Sequence, residues 1–438
     1  MLAFGLKSQL DNTSLEKPLN KIIEARGWVD GKTFVRDVSG WRERVGKTRL
    51  TEKGGEEARD ESLQYYRLAT QAAFHFTHQQ LVDGKVKAFR WADAFVAKEW
   101  AQHADFRWDA INALFNAASA QSYMATMCDR HDGDGLKQAC HLFQQAAGTI
   151  AEVRGLLKAA AFAQLTPDLG ADSLAALEAL MLAQAQKCFY EKAMKDGMKP
   201  LILAKITADC ANKYEDVSQR FKTATVSAGL DAEWASVIEW NRLLFAGLQH
   251  YYAADEHLQK NEYGKQVSRL TYATNKCAEA VNACLEASEG LQEQFRKAHA
   301  MAAEAQRQAR HDNDMIYTEK VPQITELPPI KGHAMVKPIR VDELDVPDPP
   351  VLAPPPEVAR EPSVPTAAPA PAKPVATPVA PMAALSVGGG EPPPPSFDDA
   401  TNAGVAQLVA MGFSDAQARD ALSKTGGSVQ AATELLLG

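Results

Sequence analysis

The sequence lacks the motifs by which metal sites and common catalytic centres are recognised. Its six cysteines are scattered, with no C-x-x-C pair and no histidine at ligand spacing. It contains no phosphate-binding glycine loop, no G-x-S-x-G and no H-E-x-x-H. Its histidines form no ligand set, and His103, His131 and His141 are most simply surface or hydrogen-bonded helix residues. We therefore expect neither an enzyme nor a bound metal or cofactor, and cysteines that are buried thiols in a reducing compartment.

Positive charge and long apolar runs are also scarce. The 47 Lys and Arg residues are outnumbered by 55 Asp and Glu, which leaves a net charge of −8. Nucleic acid is therefore not the expected partner, because phosphate binding needs clustered cations in excess. The start, MLAFGLKSQLDN, meets a lysine before a signal-length apolar run develops, and no uninterrupted apolar stretch reaches membrane-spanning length. We expect a cytoplasmic protein whose contact with a membrane is peripheral.

Proline and tryptophan occupy different parts of the chain. Of 24 prolines, 17 lie between Pro347 and Pro395, whereas all seven tryptophans precede Asn241. This division predicts a folded body at 1–345, a linker at 346–400 and a small terminal module at 401–438. The linker contains PDPPVLAPPP and GGGEPPPP, which bury too little apolar surface to offset the entropy of ordering, so we expect a disordered tether that samples polyproline II.

The body has the pattern of a mainly α protein. From Glu56 onward, alanine-rich segments without internal proline place apolar residues every three or four positions. Breakers separate these segments at 132–135, 166–168 and 197–200. Together these features predict a curved helical solenoid of the tetratricopeptide-like kind. The first 55 residues, with GWVDGKTFVRDVSGW, are less periodic, and we expect short strands or loops there.

Several blocks of the body resemble the Bro1 domain of ALIX-like ESCRT adaptors. They follow the family's order and comprise KAFRWADAF, WDAINALFNAASAQS, GDGLKQACHLFQQAAG, ALMLAQAQKCFYEKAMKDGMK and DNDMIYTEKVP. The resemblance implies a surface patch that binds the C-terminal amphipathic helix of an ESCRT-III subunit of the charged multivesicular body protein type. Carried over by position, that patch falls on Phe189, Ile202 and Ile206, with Lys192 and Lys137 at its margin. The alternative is that these apolar residues are core, as residues at helical spacing often are.

The chain departs from the family in one position of this patch, and it carries a further candidate site. An acidic residue of the family aligns with Gly133, flanked here by Asp132 and Asp134, so a contact made there can be shifted or lost. Tyr317 matches a tyrosine of the family that resembles a phosphorylation or docking position. A tyrosine that simply packs its ring is an equal alternative.

The terminal module resembles a ubiquitin-associated (UBA) domain of three short helices. The resemblance rests on the Met-Gly-Phe loop, the TGGSV turn and the terminal leucines. It implies that ubiquitin contacts Met411, Gly412 and Phe413, together with Leu436 and Leu437. We expect Gly426 and Gly427 to end the second helix. The predicted core consists of Leu408, Ala418, Leu422, Val429, Ala432 and Leu435.

The combination predicts a non-enzymatic adaptor that couples ubiquitinated cargo to ESCRT-III on endosomes. The linker string Pro365–Pro369, PTAAP, has one alanine more than the P-T-A-P motif that recruits ESCRT-I, and it is weak support for ESCRT-I or proline-reading partners. An alternative is a Bro1-domain signalling scaffold, as in fungal pH sensing, that recruits a protease. A deubiquitinase or its activator would need a catalytic Cys/His pair, and none is identified.

Overall fold

The structure of the chain is a computed structural model that describes most of the body and part of the terminal module. The described residues are 1–11, 15–28, 31–51, 55–96, 98–223, 232–343, 404–405, 408 and 415–437. The predicted linker at 346–400 lies outside them, as does the Met-Gly-Phe loop.

Long helices that pack in sequence order build the body. We number them α1 Glu16–Arg26, α2 Gly31–Lys47, α3 Gly55–His75, α4 His78–Asp83, α5 Phe106–Met127, α6 Gly133–Ala160, α7 Ala171–Lys195, α8 Pro200–Arg220, α9 Ala232–Gln259, α10 Tyr263–Ala283 and α11 Glu289–Asp312. From α5 to α11 each helix packs on the one before it and the one after it, and α3 packs on α5. The predicted helical solenoid is thereby confirmed.

The helices end where the sequence places its breakers. Asp132 is the N-cap of α6, where its carboxylate accepts hydrogen bonds from the amides of Asp134 and Gly135. Gly197 has φ 68° in the turn after α7, a conformation that glycine adopts without steric cost. Pro200 occupies the first turn of α8, where its missing N–H removes no helical hydrogen bond.

The expectation for the first 55 residues is wrong in one respect. GKTFVRDVSGW, expected as strands or loops, forms most of α2. Phe34, Val35, Val38 and Val45 are all buried on one face of that helix. β-branched residues and three glycines weaken the local helical signal, but burial of this apolar face against α3 outweighs propensity.

A short hairpin lies between α4 and α5. Strand β1 (Phe89–Ala92) pairs antiparallel with β2 (Trp100–His103), and the amide of Ala92 donates to the carbonyl of Ser8 at 2.9 Å. Next to this contact, Lys7 Nζ lies 2.5 Å from an Asp168 carboxylate oxygen, and both side chains are fully buried. The first residues of the chain are thus tied to the centre of the solenoid.

A buried charge network joins four elements around the hairpin. Asp109 on α5 accepts hydrogen bonds from Arg42 Nε at 2.8 Å, from Trp91 Nε1 at 2.5 Å and from the Tyr65 hydroxyl. A second carboxylate, of Asp11, accepts from Arg42 Nη2 at 3.0 Å. Burial opposes the charge of Arg42, but the two carboxylates outweigh it and raise the pKa of the guanidinium.

An extended segment, residues 319–340, follows α11 and lies back over the solenoid. Two buried glutamines hold its backbone: Gln186 Oε1 accepts from the amide of Met335 at 3.0 Å, and Gln144 Oε1 accepts from the amide of Lys337 at 3.1 Å. The carbonyl of Gln144 accepts from Ile339 at 3.0 Å. The segment therefore ends beside α6, which is also one wall of the groove described below.

Within this segment's contact with the solenoid, Arg269 is buried beside a backbone carbonyl and a histidine. Its Nη2 donates to the Pro328 carbonyl at 2.7 Å, and its Nη1 lies 3.2 Å from His250 Nδ1. The His250 ring also lies on Tyr272, with centroids 4.5 Å apart. Burial, and secondarily the Arg269 charge, lowers the pKa of His250 to about 3. His250 is therefore neutral in the folded protein at neutral pH.

This pKa predicts acid lability. The unfolded chain, with a histidine pKa of about 6.5, binds the proton that folded His250 refuses, so stability is complete above pH 6.5 and falls as pH drops towards 3. Between pH 7 and pH 5 we expect the free energy of unfolding to fall by about 2 kcal/mol. His250→Gln keeps an acceptor for Arg269 and should remove this slope in urea titrations. Equal slopes in the two proteins would contradict the assignment.

The terminal module contains two described helices, α12 (Asp415–Lys424) and α13 (Val429–Leu437). Gly426 and Gly427 have φ of 61° and 84°, and the Gly427 amide donates to the Leu422 carbonyl, which confirms the predicted helix stop. Leu408, Ala418, Leu422 and Ala432 are buried as predicted.

The prediction that Leu435 belongs to the core of this module is wrong. Half of its side chain is exposed, whereas its neighbour Leu436 is partly buried. The buried face of α13 passes through Ala432 and Thr433. At about 100° per residue, Leu436 lies about 10° from the middle of this buried face and Leu435 about 110° from it, which agrees with the exposure of Leu435.

Within the described part of the chain, no helix combines the length and the apolar character needed to cross a membrane.

Candidate functional site

An apolar groove of about 410 Å³ runs between α6 and α7. Leu136, Cys140 and Gln144, four residues apart, form one wall on α6. Phe189 and Ala193 form the other wall on α7, and Met198 closes the end after the Gly197 turn. We call this space the first groove. Phe189, the first of the predicted patch residues, lines it with 8% of its side chain exposed.

Both predicted marginal lysines lie on the rim of the first groove. Lys137 Nζ is 3.1 Å from an Asp134 carboxylate oxygen, and Lys192 forms an ion pair with Asp196 one helical turn later. Both pairs are at least partly exposed, so each contributes little stability and can be exchanged for a partner's carboxylate at small cost.

Gly133 lies directly against one of these lysines. A β-carbon at this position would be 3.4 Å from Lys192 Cε, in ordinary van der Waals contact. Asp132 is occupied as the cap of α6 and Asp134 pairs with Lys137, so neither approaches Lys192 as its ion-pair partner. Asp196 takes that place from the other side. In this chain the carboxylate that pairs with Lys192 therefore comes from Asp196 on α7's C-terminal end and not from the 132–134 segment.

The thiols and the imidazole that line the groove are neutral. Burial raises the pKa of the Cys140 thiol to about 12 and also raises that of Cys188, so both remain protonated and act as apolar surface. Burial also lowers the pKa of His141. Among the described residues, no group of three or more His, Cys, Asp and Glu side chains is placed to hold a metal ion. The groove is suited to binding an apolar surface rather than to acid-base or nucleophilic chemistry.

Ile202 and Ile206, two residues of the predicted patch, lie on a covered face of α8. They share one face of α8, as their spacing predicts, but only 6% and 0% of their side chains are exposed, and both belong to the main core. Neither lines the first groove. The face that was predicted to accept a partner is covered within the solenoid, where α8 packs between α7 and α9. Their burial favours the core alternative for these two residues, and a part in binding a partner stays a prediction. Phe189, which is 8% exposed and also belongs to the core, differs from Ile202 in that it lines the groove.

Residues of α6 take the place of the isoleucines in the groove. Leu136, Cys140 and Gln144 were not selected from the sequence. Their i, i+4, i+8 spacing was visible, and the GDGLKQACHLFQQAAG block contains all three. Nothing in the spacing distinguishes this stripe from the other apolar stripe of α6, which is fully buried.

The predicted ubiquitin-contacting residues are only partly within the described chain. Met411, Gly412 and Phe413 lie outside the described residues, and so does the side chain of Leu437. Leu436 is partly buried and packs against the core, whereas Leu435 is exposed. Of the two α13 leucines among 435–437 whose side chains are described, Leu435, adjacent to the predicted pair, is the one available to a partner.

Tyr317 ends a five-residue π-helical extension of α11. Its ring stacks face to face on Tyr263, with centroids 3.4 Å apart and planes 7° apart, and 40% of the residue is exposed. The packing alternative thus describes its ring, although the residue as a whole is partly accessible. A phosphorylation or docking role stays a prediction.

Comparison with known proteins identifies both folded regions. A family model described as "BRO1-like domain" matches residues 1–358, and one described as "UBA/TS-N domain" matches residues 402–436. ALG-2 interacting protein X of Dictyostelium discoideum is 27% identical over 349 residues, which are 78% of this chain and 43% of that protein. The pH-response regulator protein palA/RIM20 of Emericella nidulans is 32% identical over 232 residues, 53% of this chain and 27% of that protein. The chain thus spans less than half of the length of either relative.

A solved structure described as "ALIX BRO1 CHMP4C complex" has the same fold. It superposes with a TM-score of 0.68 at 23% sequence identity, covering 80% of this chain and 98% of that one. This chain belongs to the BRO1-like domain family and carries a UBA domain near its C-terminus.

Proposed function

We propose that the chain is a non-enzymatic ESCRT-associated adaptor that binds the C-terminal helix of an ESCRT-III subunit of the charged multivesicular body protein type. The observation that carries the proposal is the first groove, an open apolar channel with Phe189 on its wall and lysines on its rim. From Leu136 to Gln144 its α6 wall is about 12 Å long at 1.5 Å per residue, enough for about two turns of a bound helix. The ALIX structure described with CHMP4C has the same fold and supports the choice of partner.

The chemistry of the groove suits an amphipathic helix. Apolar residues at i, i+3 and i+4 of a partner would bury against Phe189, Cys140 and Met198. Acidic residues beside those anchors would meet Lys137 and Lys192, replacing Asp134 and Asp196. Because these ion pairs are partly exposed, they would direct the orientation of the helix more than its affinity.

In this proposal the terminal module binds ubiquitin and the linker joins the two activities. Residues 1–345 form the solenoid, 346–400 the tether and 401–438 the UBA domain. Ubiquitin would contact the Met411–Phe413 loop and the end of α13, where Leu435 is exposed beside the predicted Leu436 and Leu437. The two weak contacts together would retain the protein on endosomal membranes that carry both ubiquitinated cargo and ESCRT-III, because the second contact forms at an effective concentration set by the tether.

Calorimetric titration of the full chain with an ESCRT-III tail peptide, with and without ubiquitin, tests the proposal. We expect two independent sites with micromolar or weaker affinity. The likeness to palA/RIM20 is the observation that supports the alternative function, a signalling scaffold. Failure of the tail peptide to bind, together with retained binding of a protease partner, would replace the adaptor proposal by the scaffold.

The ubiquitin contact makes a separate prediction. Met411→Ala with Phe413→Ala should remove the chemical shift changes that the chain induces at the hydrophobic face of labelled ubiquitin. Leu435→Ala, which shortens an exposed side chain, should weaken binding about threefold to tenfold without altering the melting temperature. Leu436→Ala is the matched comparison, because it removes partly buried packing and should lower the module's stability. If Leu435→Ala has no effect on binding, ubiquitin does not use this face of α13.

A further inference from the structure

A second apolar groove lies on another side of α7. It has a volume of about 660 Å³ and is bounded by α7, α9 and α11. Tyr190, Phe245, Leu248 and Phe295 line it. Met194 on α7 and Met301 on α11 also line it, with 48% and 37% of their side chains exposed. We call this space the second groove.

The two grooves share one helix but no lining residue. Phe189 lines the first groove and Tyr190 the second, because consecutive helical residues point about 100° apart. Similarly, Lys192 lies at the first groove and Met194 at the second. An occupant of one groove therefore need not displace an occupant of the other.

The rim of the second groove is basic. Arg130 and Glu191 form an ion pair and neutralise each other. Lys195 donates to the carbonyl of His131 at 2.5 Å, and no carboxylate of the described residues pairs with it. Lys297 lies on the opposite rim, and 75% of its side chain is exposed. Its Nζ is 3.7 Å from a Glu293 oxygen, which is long for an ion pair. Acidic side chains of a ligand would thus find an available cation on each side of the apolar floor.

The shape and the hydrogen-bonding groups favour a helical ligand. The α7 wall from Lys187 to Lys195 is about 12 Å long, about two helical turns. A proline-rich segment would need donors for its free carbonyls along the floor of the groove. The donors Lys195 and Lys297 lie on the rim, and the Tyr190 hydroxyl is already bonded to that of Tyr252 at 3.0 Å. A helix satisfies its own backbone and needs only the apolar floor, to which flexible methionines adapt.

We propose that the second groove binds an acidic amphipathic helix of a partner protein, independently of the first groove. Residues of its apolar face would pack between Met194 and Met301, and its carboxylates would pair with Lys195 and Lys297. With both grooves occupied, α7 would hold two helical segments side by side, so a single chain would join two partner molecules. This inference does not rest on the proposed function, because no residue of the first groove enters it.

Methionine methyl NMR tests the inference, since the chain carries a natural reporter for each groove. Met194 and Met301 line the second groove and Met198 lines the first. The full chain, labelled at methionine methyls, is titrated with a synthetic acidic peptide of about 16 residues that has leucines at i, i+3, i+4 and i+7 and glutamates elsewhere. A scrambled peptide of equal composition is the control. We expect saturable shifts of Met194 and Met301 that the scrambled peptide does not produce.

Two variants locate the site while one reporter remains. Binding to the Met301→Asp variant is followed by the Met194 methyl signal, and binding to the Met194→Asp variant by the Met301 signal. Each substitution should lower the affinity of the second groove for the peptide at least about tenfold. Any shift of the Met198 signal should persist. Leu285→Asp, which changes a leucine that is 67% exposed and outside both grooves, should leave affinity unchanged. Because the substituted methionines are exposed, melting temperatures should remain close to that of the parent chain.

Three outcomes would overturn the inference. The first is a shift of Met198 alone, which would assign the peptide to the first groove. The second is the absence of any shift at Met194 and Met301 up to about 1 mM peptide, the range in which even weak complexes form. The third is a change of both signals, without peptide, when residues 346–400 are replaced by Gly-Ser, which would show that the chain's own linker occupies the groove.

Discussion

Phe189→Asp is expected to abolish binding of an ESCRT-III tail helix, with an affinity loss of at least about 100-fold. Phe189 lines the wall of the first groove, where the apolar face of a bound helix would cover it. A carboxylate at this position would be removed from water without a partner. Titration calorimetry with the tail peptide measures the loss. Met194→Asp, five residues later on α7 and in the second groove, is the matched control and should bind the tail normally.

Because Phe189 is only 8% exposed, the aspartate also costs stability, and a second variant separates folding from binding. Phe189→Ala keeps the site uncharged and should weaken the tail about tenfold or more while the far-ultraviolet circular dichroism is unchanged. Ile206→Asp makes the opposite comparison: it places a charge in the closed core and should unfold the solenoid rather than affect binding selectively. Normal tail affinity of a folded Phe189→Asp protein would refute the assignment of the first groove.

Asp109→Asn is expected to lower the free energy of unfolding by about 3–5 kcal/mol, the usual result of breaking a buried ion pair by changing one partner. Asp109 is fully buried and accepts hydrogen bonds from Arg42, Trp91 and Tyr65. Asparagine removes the charge that compensates Arg42, leaving that task to Asp11 alone, and its amide N–H₂ would face a donor. Urea unfolding monitored by tryptophan fluorescence measures the change.

Glu43→Gln is the matched control for this prediction. Glu43 lies on α2 next to Arg42 and also forms an ion pair, with Lys47, but both side chains are well exposed. The solvent screens that pair, so its loss should leave the unfolding midpoint unchanged within error. A stability loss of similar size in both variants would mean that Asp109 acts through general charge balance and not through the buried network.

The helices and their ends were predictable because their signals are local. Asp132 caps α6 by accepting hydrogen bonds from the first amides of that helix. Gly197 adopts the positive φ of the turn after α7, and Pro200 fits the first turn of α8. Each of these effects acts within a few residues of the one that causes it. α2 was missed because its local propensity is poor. Its helix is stabilised by burial of Phe34 and Val38 against α3, a contact that local patterns do not report.

The candidate site was only half predictable, for a related reason. In a solenoid, a central helix is covered by neighbours on two sides, so apolar residues occur around most of its circumference. On α7 nearly every residue from Leu180 to Tyr190 is apolar or buried, and the pattern does not indicate which of them remains uncovered. Ile202 and Ile206 were grouped with Phe189 through the family resemblance, and their apolar spacing on α8 could not separate a covered face from an open one.

The sequence by itself determined the mainly helical class, the division into a body, a proline-rich segment and a terminal module, and membership of the BRO1-like family, because these depend on composition, on period and on contiguous motifs. Only the tertiary structure decided which apolar faces are covered. It places Phe189 in a groove and Ile206 in the core, pairs Lys192 with Asp196 beside Gly133, and exposes Leu435 instead of Leu436. These outcomes depend on which neighbouring element packs on each face, and that contact joins residues far apart in the chain.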